Sequence, residues 1–422
     1  MQRKDILELK RRFKKDHCTF THLCGCYVNG EKQIVSRFRE FFPTLDEDEL
    51  FKYLEIAKKV LSGTIGNNLL KLNFPLDEDF KNESQTSLMQ LKKSALKDDA
   101  LLDTFYQHII DHYEYPDNFL ILVFHDAYDV MTKTTDNQKL DESEEVYEYV
   151  LCAICPVSLS DAGLTYYEEE DKIKARIRDW VVRAPNNGFV FPAFIERSAD
   201  VNSVMYYTRK PKDPHPELME DVLGCPAKQT AAIQKETFQS IVKDTLEMEE
   251  EQAETIFMDI HDNLISMIDE HNAIYEDTNC EPITLTKDHV QDLLIESGIP
   301  EETTIKIENY YEESFGDDLP LAQGLIDKKI LKASAQMQKE KNLQKHIKVL
   351  EGKLEVATQN ASVDNHHDLD SEDPADMPDI ILQVKPDKVA EIQIQIINGQ
   401  KCIVIPVYED EQTRINGADD LI

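Results

Sequence analysis

The chain has 422 residues, 41% hydrophobic and 30% charged, and its 82 acidic against 46 basic residues leave a net charge of -36. That length suits two or three packed units with a sizeable core, which excludes a fibrous or wholly disordered protein. The averaged surface repels nucleic acid and anionic membranes, so any polyanion must be met by a local basic patch.

Residues 1–16 are expected to form a short helix in which Ile6, Leu7, Leu9 and Phe13 are ringed by Arg3, Lys4, Lys10, Arg11, Arg12, Lys14 and Lys15. This segment lacks the continuous apolar stretch of a secretion signal, and runs such as 119–124 fall far short of the ~20 residues that cross a bilayer. Eight cysteines over this length are too sparse for a disulfide scaffold. A cytoplasmic protein with free thiols and no membrane contact is therefore expected.

Extended runs at 18–28 and 31–38 flank Asn29-Gly30, a two-residue hairpin signal. Thr44 with Glu47 reads as a capping box for a helix over 45–62, and Gly63 stops it. Helices at 84–96 and 98–113 lead to 118–126, where Phe119 to Phe124 are all apolar, as in a central strand covered on both faces. Strands follow at 146–157, 188–194 and 204–208. From Pro214 to Phe315 the pattern turns helical, with helices expected at 215–223, 234–246, 250–272, 287–296 and 301–314.

Over 325–358 a basic helix is expected, with Leu343, Ile347, Leu350 and Leu354 at 4, 3, 4 spacing. Residues 359–378 carry several acidic side chains and no Lys or Arg, as in a disordered linker. In 379–410 apolar and polar residues alternate around Asn398-Gly399, which predicts a hairpin docked on the core, since an isolated one is marginal. The fold class is α+β. A core over 1–212 holds a central mixed sheet flanked by helices, 213–324 is helical, and the chain ends in a β-hairpin.

Two constellations could carry metal chemistry. Cys24 and Cys26 with His17, Cys18 and His22, and Cys152 with Cys155, offer soft zinc ligands, yet residues 152 and 155 of one strand point to opposite faces. His108 and His112 lie one helical turn apart, and with His125 and Asp126 at a strand end they outline a metal-dependent hydrolase of nuclease or phosphatase type. Such groups more often cap helices or face solvent, so no cofactor is expected, with zinc or another divalent metal as the alternative. The glycines of 62–68 lack the Lys-Ser/Thr pair of a phosphate loop, and no nucleophile elbow, kinase or zincin signature occurs.

Charge segregation is the stronger signal. Seven Lys/Arg fall in the first fifteen residues and eight Lys between 328 and 353. The candidate contacts to DNA or RNA are Arg11, Arg12, Lys14, Lys15, Lys339, Lys341, Lys345 and Lys348, with the acidic linker competing for them. The competing explanation is a solvated helix face and a coiled-coil flank, which makes 343–354 a surface for a protein partner or self-association.

The segments Leu23 to Lys32, Leu61 to Gly66, Val146 to Val157 and Arg178 to Val181 together resemble an uncharacterised family of Firmicutes proteins known only as a domain of unknown function. The resemblance implies a bacterial cytosolic protein and carries no catalytic residues. It spans the chain except the basic helix and acidic linker, which look like an insertion. A looser pattern is similar to nucleoid-associated proteins of the YejK/NdpA type: a strand with His then Tyr at Phe119 to Tyr128, a second strand at Tyr149 to Val157, Asp200 to Gly224, then helices and a terminal hairpin. It implies an acidic, DNA-associated, non-enzymatic factor.

Overall fold

A computed structural model describes residues 2–75, 82–130, 145–246, 250–274, 282–316 and 318–327, short stretches at 330–332, 336, 339 and 343–347, and four terminal strands between 393 and 419. The chain divides into two compact units, Met1–Glu340 and Lys341–Ile422.

In the first unit, α1 (Arg3–Arg12) buries Ile6 and Leu9 and turns its basic side outward. The strands β1 (His22–Val28) and β2 (Ile34–Phe41) form the expected hairpin. Its connection is longer than the two residues read from Asn29-Gly30, because Asn29 Oδ1 accepts from the Glu31 and Gln33 amides at 3.1 and 2.8 Å and holds a wider loop. Next, α2 (Glu47–Val60) begins at Asp46, not at the expected Thr44 cap. Thr44 Oγ1 instead donates to the Phe41 carbonyl. After β3 (Leu69–Asn73) come α3 (Glu83–Lys93) and α4 (Asp99–His112), capped by Asn82 and Asp98 as short polar residues cap helices.

The long strands β4 (Phe119–Val130) and β5 (Glu145–Leu159) are followed by β6 (Leu164–Tyr167), β7 (Lys172–Ala175), β8 (Trp180–Val182), β9 (Asn187–Phe191), β10 (Ala193–Ile195), β11 (Ser198–Asp200) and β12 (Ser203–Thr208). The main sheet has the order β2-β1-β4-β5-β9-β12-β3, with β8 added to β5. Its ladders among the described residues are all antiparallel, which corrects the expectation of a mixed sheet. The helices between β3 and β4 carry the chain from the β3 edge to a strand four places away, so no parallel neighbours result.

Strand β4 shows why both faces of the sheet are covered. Phe119, Ile121 and Val123 pack with Leu88, Leu91 and Ile109 of α3 and α4, while Leu120, Leu122 and Phe124 pack with Leu9 of α1 and Leu54 and Ala57 of α2. The alternation of a strand thus feeds two separate apolar layers.

The helices α5 (Ala231–Leu246), α6 (Glu250–Ile274), α7 (Lys287–Glu296), α8 (Glu301–Phe315) and α9 (Ala322–Leu325) share a third core that includes Phe238, Leu264, Leu293 and Tyr311. The Ala231 amide donates to the Gly66 carbonyl at 2.7 Å, tying α5 to the loop before β3. The helix expected at 215–223 is a single π turn, Leu218–Val222. Among the described residues no helix is long and apolar enough to cross a membrane.

In the second unit, 343–347 is helical, with Leu343 and Ile347 exposed. The strands β13 (Gln393–Ile397) and β14 (Gln400–Val404) pair Ile397 with Gln400, the register that Asn398-Gly399 predicts. A small pairing of β15 (Arg414–Ile415) with β16 (Ala418–Asp419) follows. The acidic segment 359–378, residues 379–392 of the expected terminal element and the expected basic helix beyond 347 lie outside the described residues.

Candidate functional site

The basic residues of the N-terminus are not equivalent once folded. The Arg12 guanidinium lies 4.0 Å over the Tyr128 ring and donates to Thr19 Oγ1 at 3.0 Å, so it is fixed to the body of the protein. Lys15 pairs with Glu47 at 2.7 Å. Arg11 and Lys14 remain exposed, with no ion pair among the described residues. Lys339 and Lys345 are exposed helical residues, whereas Lys341 and Lys348 lie outside the described residues.

A different lysine makes the more telling contact. Lys10, half-buried at the end of α1, sits beside Lys59 and Lys58 in the last turn of α2. Burial first, and then the charges of those two neighbours, hold the Lys10 pKa below its usual value. No carboxylate pairs with any of the three among the described residues. Each helix places its cations at its own C-terminus, where they complement the macrodipole, and packing α1 against α2 brings two such ends together.

These lysines line an open groove of about 1300 Å³ together with Ser62, Leu120 and the 182–185 segment. Phe51 and Tyr53 add aromatic surface to it, and Phe51 is exposed. Asp48 and Glu49 sit in the first turn of α2, roughly 15 Å from Lys58 along the helix axis, and Glu55 is taken by Lys52 at 3.2 Å. Arg183 also lines the groove, held by its Nε donating to Ser158 Oγ at 2.8 Å. The groove therefore has an uncompensated cationic end suited to a phosphate or other anion.

A smaller cleft of about 190 Å³ between β2 and α4 is lined by Arg37, Arg39, Cys24 and Tyr106. Its guanidinium groups are already neutralised, Arg37 by Asp103 at 2.9 Å and Arg39 by Asp99 at 2.5 Å. It offers no net charge to an anion.

The histidines proposed as ligands separate into two places. His108 and His112 stack edge-on at 4.8 Å, and His112 Nδ1 donates to the His108 carbonyl at 2.9 Å. Burial, then the His112 charge, keep the His108 pKa low. His125 stands six residues along β4 from the strand end that follows α4, about 20 Å away by strand rise. Both of its ring nitrogens are engaged: Nδ1 accepts from Thr21 Oγ1 at 3.0 Å and Nε2 donates to Glu148 Oε1 at 3.2 Å. Lys92 anchors that carboxylate at 3.3 Å. Asp126 points to the opposite face of the sheet, where its Oδ2 accepts from the Tyr149 hydroxyl at 2.7 Å. The four residues do not converge, and among the described residues no group of three or more His, Cys, Asp or Glu is arranged to hold a metal.

The six described cysteines are free. Cys24, Cys26 and Cys152 join one apolar layer and Cys155 the other, so Cys152 and Cys155 diverge as strand alternation requires. Burial pushes the Cys26 thiol up to about 11, and Cys152 and Cys155 are raised as well, which leaves them inert as nucleophiles at neutral pH.

Lys58 and Lys59 escaped the sequence reading because their role depends on which helix end they meet. The available signal was the pair of cationic helix C-termini, and nothing local shows that the two ends touch.

No curated protein matches the chain. Residues 1–418, a range that includes the basic and acidic segments of 325–378, match the family described as domain of unknown function (DUF4317), and the chain belongs to that family.

Proposed function

We propose that this is a non-enzymatic protein that holds a nucleic-acid strand in the groove between α2 and the 182–185 segment. The observation that supports the reading is the clustering of Lys10, Lys58 and Lys59 without a carboxylate partner among the described residues. A chain at -36 that nevertheless gathers three cations at one groove end accepts mutual repulsion that a phosphate relieves. Phosphate contacts of this kind supply affinity through counterion release, without base recognition. The exposed Phe51 ring, about 10 Å from Lys58 along the same helix, adds a stacking surface, the combination used by proteins that bind single strands.

The test is a fluorescence-anisotropy titration with labelled single-stranded and duplex oligonucleotides at several salt concentrations. The wild type is expected to bind with steep salt dependence. Replacing Lys10, Lys58 and Lys59 together by Gln is expected to weaken binding at least tenfold and to reduce the salt slope by about 2–3, near one per lost phosphate contact. A parallel Lys339→Gln, Lys345→Gln variant measures the share of the basic helix. Absence of wild-type binding at low salt, or an unchanged slope in the triple variant, overturns the reading.

A further inference from the structure

Trp180 is the sole tryptophan of the chain, and 57% of its surface is exposed. It opens β8, which pairs with the end of β5 so that Trp180 stands opposite Leu159 and Val182 opposite Val157. Residues directly opposite in an antiparallel pair share a face. Val157 lies in the apolar layer that α2 covers through Leu54, Ala57 and Val60. Trp180 and Val182 are therefore both on the α2 side of the sheet.

That is the side of the groove, which Val182 lines together with Lys10, Lys58, Lys59 and Phe51. Trp180 lies two residues from Val182 on the same face of β8, about 7 Å along the strand. This is close to one nucleotide step of an extended single strand. The indole thus adjoins the lining of the groove that holds the three lysines.

The backbone beneath the indole is fixed on both sides. The Asp179 amide donates to Ser160 Oγ at 3.1 Å and the Ser160 amide to the Asp179 carbonyl at 2.8 Å. Beyond β8, the Arg183 amide donates to the Pro156 carbonyl at 2.8 Å. A large flat ring with two side-chain torsions on a backbone already held in place loses little freedom when it binds.

We propose that Trp180 stacks on an unpaired base of a strand whose phosphates meet Lys10, Lys58 and Lys59, and that this contact selects single strands over duplex. The inference rests on the groove reading and adds to it the residue that meets the bases. A duplex offers the lysines the same phosphates but keeps its bases in its own stack, so the indole gains nothing from it unless a nucleotide is extruded. An acidic polypeptide satisfies the lysines but brings no π-face to the indole, so it fits less well.

The experiment uses the emission of this one tryptophan in the full chain, titrated with unlabelled single-stranded DNA, single-stranded RNA and duplex. An abasic strand and polyglutamate serve as polyanions without bases. Single strands are expected to quench the emission, DNA and RNA alike, and the two base-free polyanions to leave it nearly unchanged. Trp180→Ala is expected to raise the dissociation constant for single strands about tenfold and that for duplex less than about twofold, while Trp180→Phe stays within about threefold of the wild type. Circular dichroism is expected to be unchanged, because the side chain is exposed. The salt slope separates the indole from the lysines: Trp180→Ala keeps it, since stacking releases no counterions, whereas the triple Gln variant flattens it.

Steeply salt-dependent binding with silent emission and an unaffected Trp180→Ala overturns this inference and leaves the groove reading standing. Quenching by the abasic strand as strong as by the intact one shows that the indole senses charge and not a base, and overturns it. Stronger quenching by polyglutamate assigns the surface to an acidic protein partner, with the same consequence. A wild type that binds no strand at low salt removes the groove reading and this inference with it.

Discussion

Lys10 illustrates a side chain that works against its own fold. Its ammonium is half-buried and faces two further lysines, and both effects favour the neutral form. A folded pKa below the usual 10.5 means that the native state binds the proton less readily than the unfolded chain does. The resulting penalty is fully present at neutral pH and fades as pH rises through the folded value toward 10.5. Lys10→Met keeps the aliphatic stem and removes the charge. It is therefore expected to raise the denaturation midpoint at pH 7, to lose that advantage above pH 10.5, and to weaken oligonucleotide binding. Urea melts at the two pH values, paired with one binding curve, check all three statements. A variant less stable than the wild type at neutral pH contradicts the charge argument. Arg12 shows the reverse: seen in the sequence as one more cation, it is spent on the Tyr128 ring.

At the scale of elements, local chemistry predicted what local chemistry controls. The helix at 287–296 was legible to the residue, because Thr286 caps it and its apolar residues recur at helical spacing. The all-apolar run from Phe119 to Phe124 likewise announced a strand covered on both faces. What the sequence hid depends on partners distant in the chain: the direction of β4 relative to β3, the Asn29 side chain in the hairpin loop, and the convergence of two helix ends on one groove. The β6–β7 hairpin was missed because its alternation has no buried face to balance it. Asn82 lies between these cases. Its carbonyl oxygen accepts from the Gln85 amide at 3.0 Å as a helix cap, and its amide donates to the Gly224 carbonyl at 2.9 Å, joining α3 to the turn after the π helix. A cap alone is worth about 1 kcal/mol, and the second bond adds about as much again. Asn82→Ala is expected to cost about 2 kcal/mol in a chemical melt, whereas Asn82→Asp, which keeps the cap, is expected to cost roughly half of that. Equal losses would show that the cap is idle.

For the whole molecule, charge sets two opposing responses to salt. With 36 more acidic than basic groups, the folded chain concentrates like charge that the unfolded chain spreads out. Raising ionic strength from 0.01 to 0.1 M shortens the screening length from about 30 to about 10 Å, so self-repulsion between surface carboxylates falls and the native state gains. The groove responds in the opposite sense, because added cations compete with Lys10, Lys58 and Lys59 for phosphate. A single salt series read by thermal melting and by anisotropy is therefore expected to show stability rising while oligonucleotide affinity falls. The triple Gln variant sharpens the comparison. Removing three cations takes the net charge from -36 to about -39, so its melting temperature is expected to depend on salt at least as steeply as the wild type, while its binding curve flattens. Should stability and binding lose their salt dependence together in that variant, the groove lysines would be part of the general charge balance of the surface and not a site for a strand.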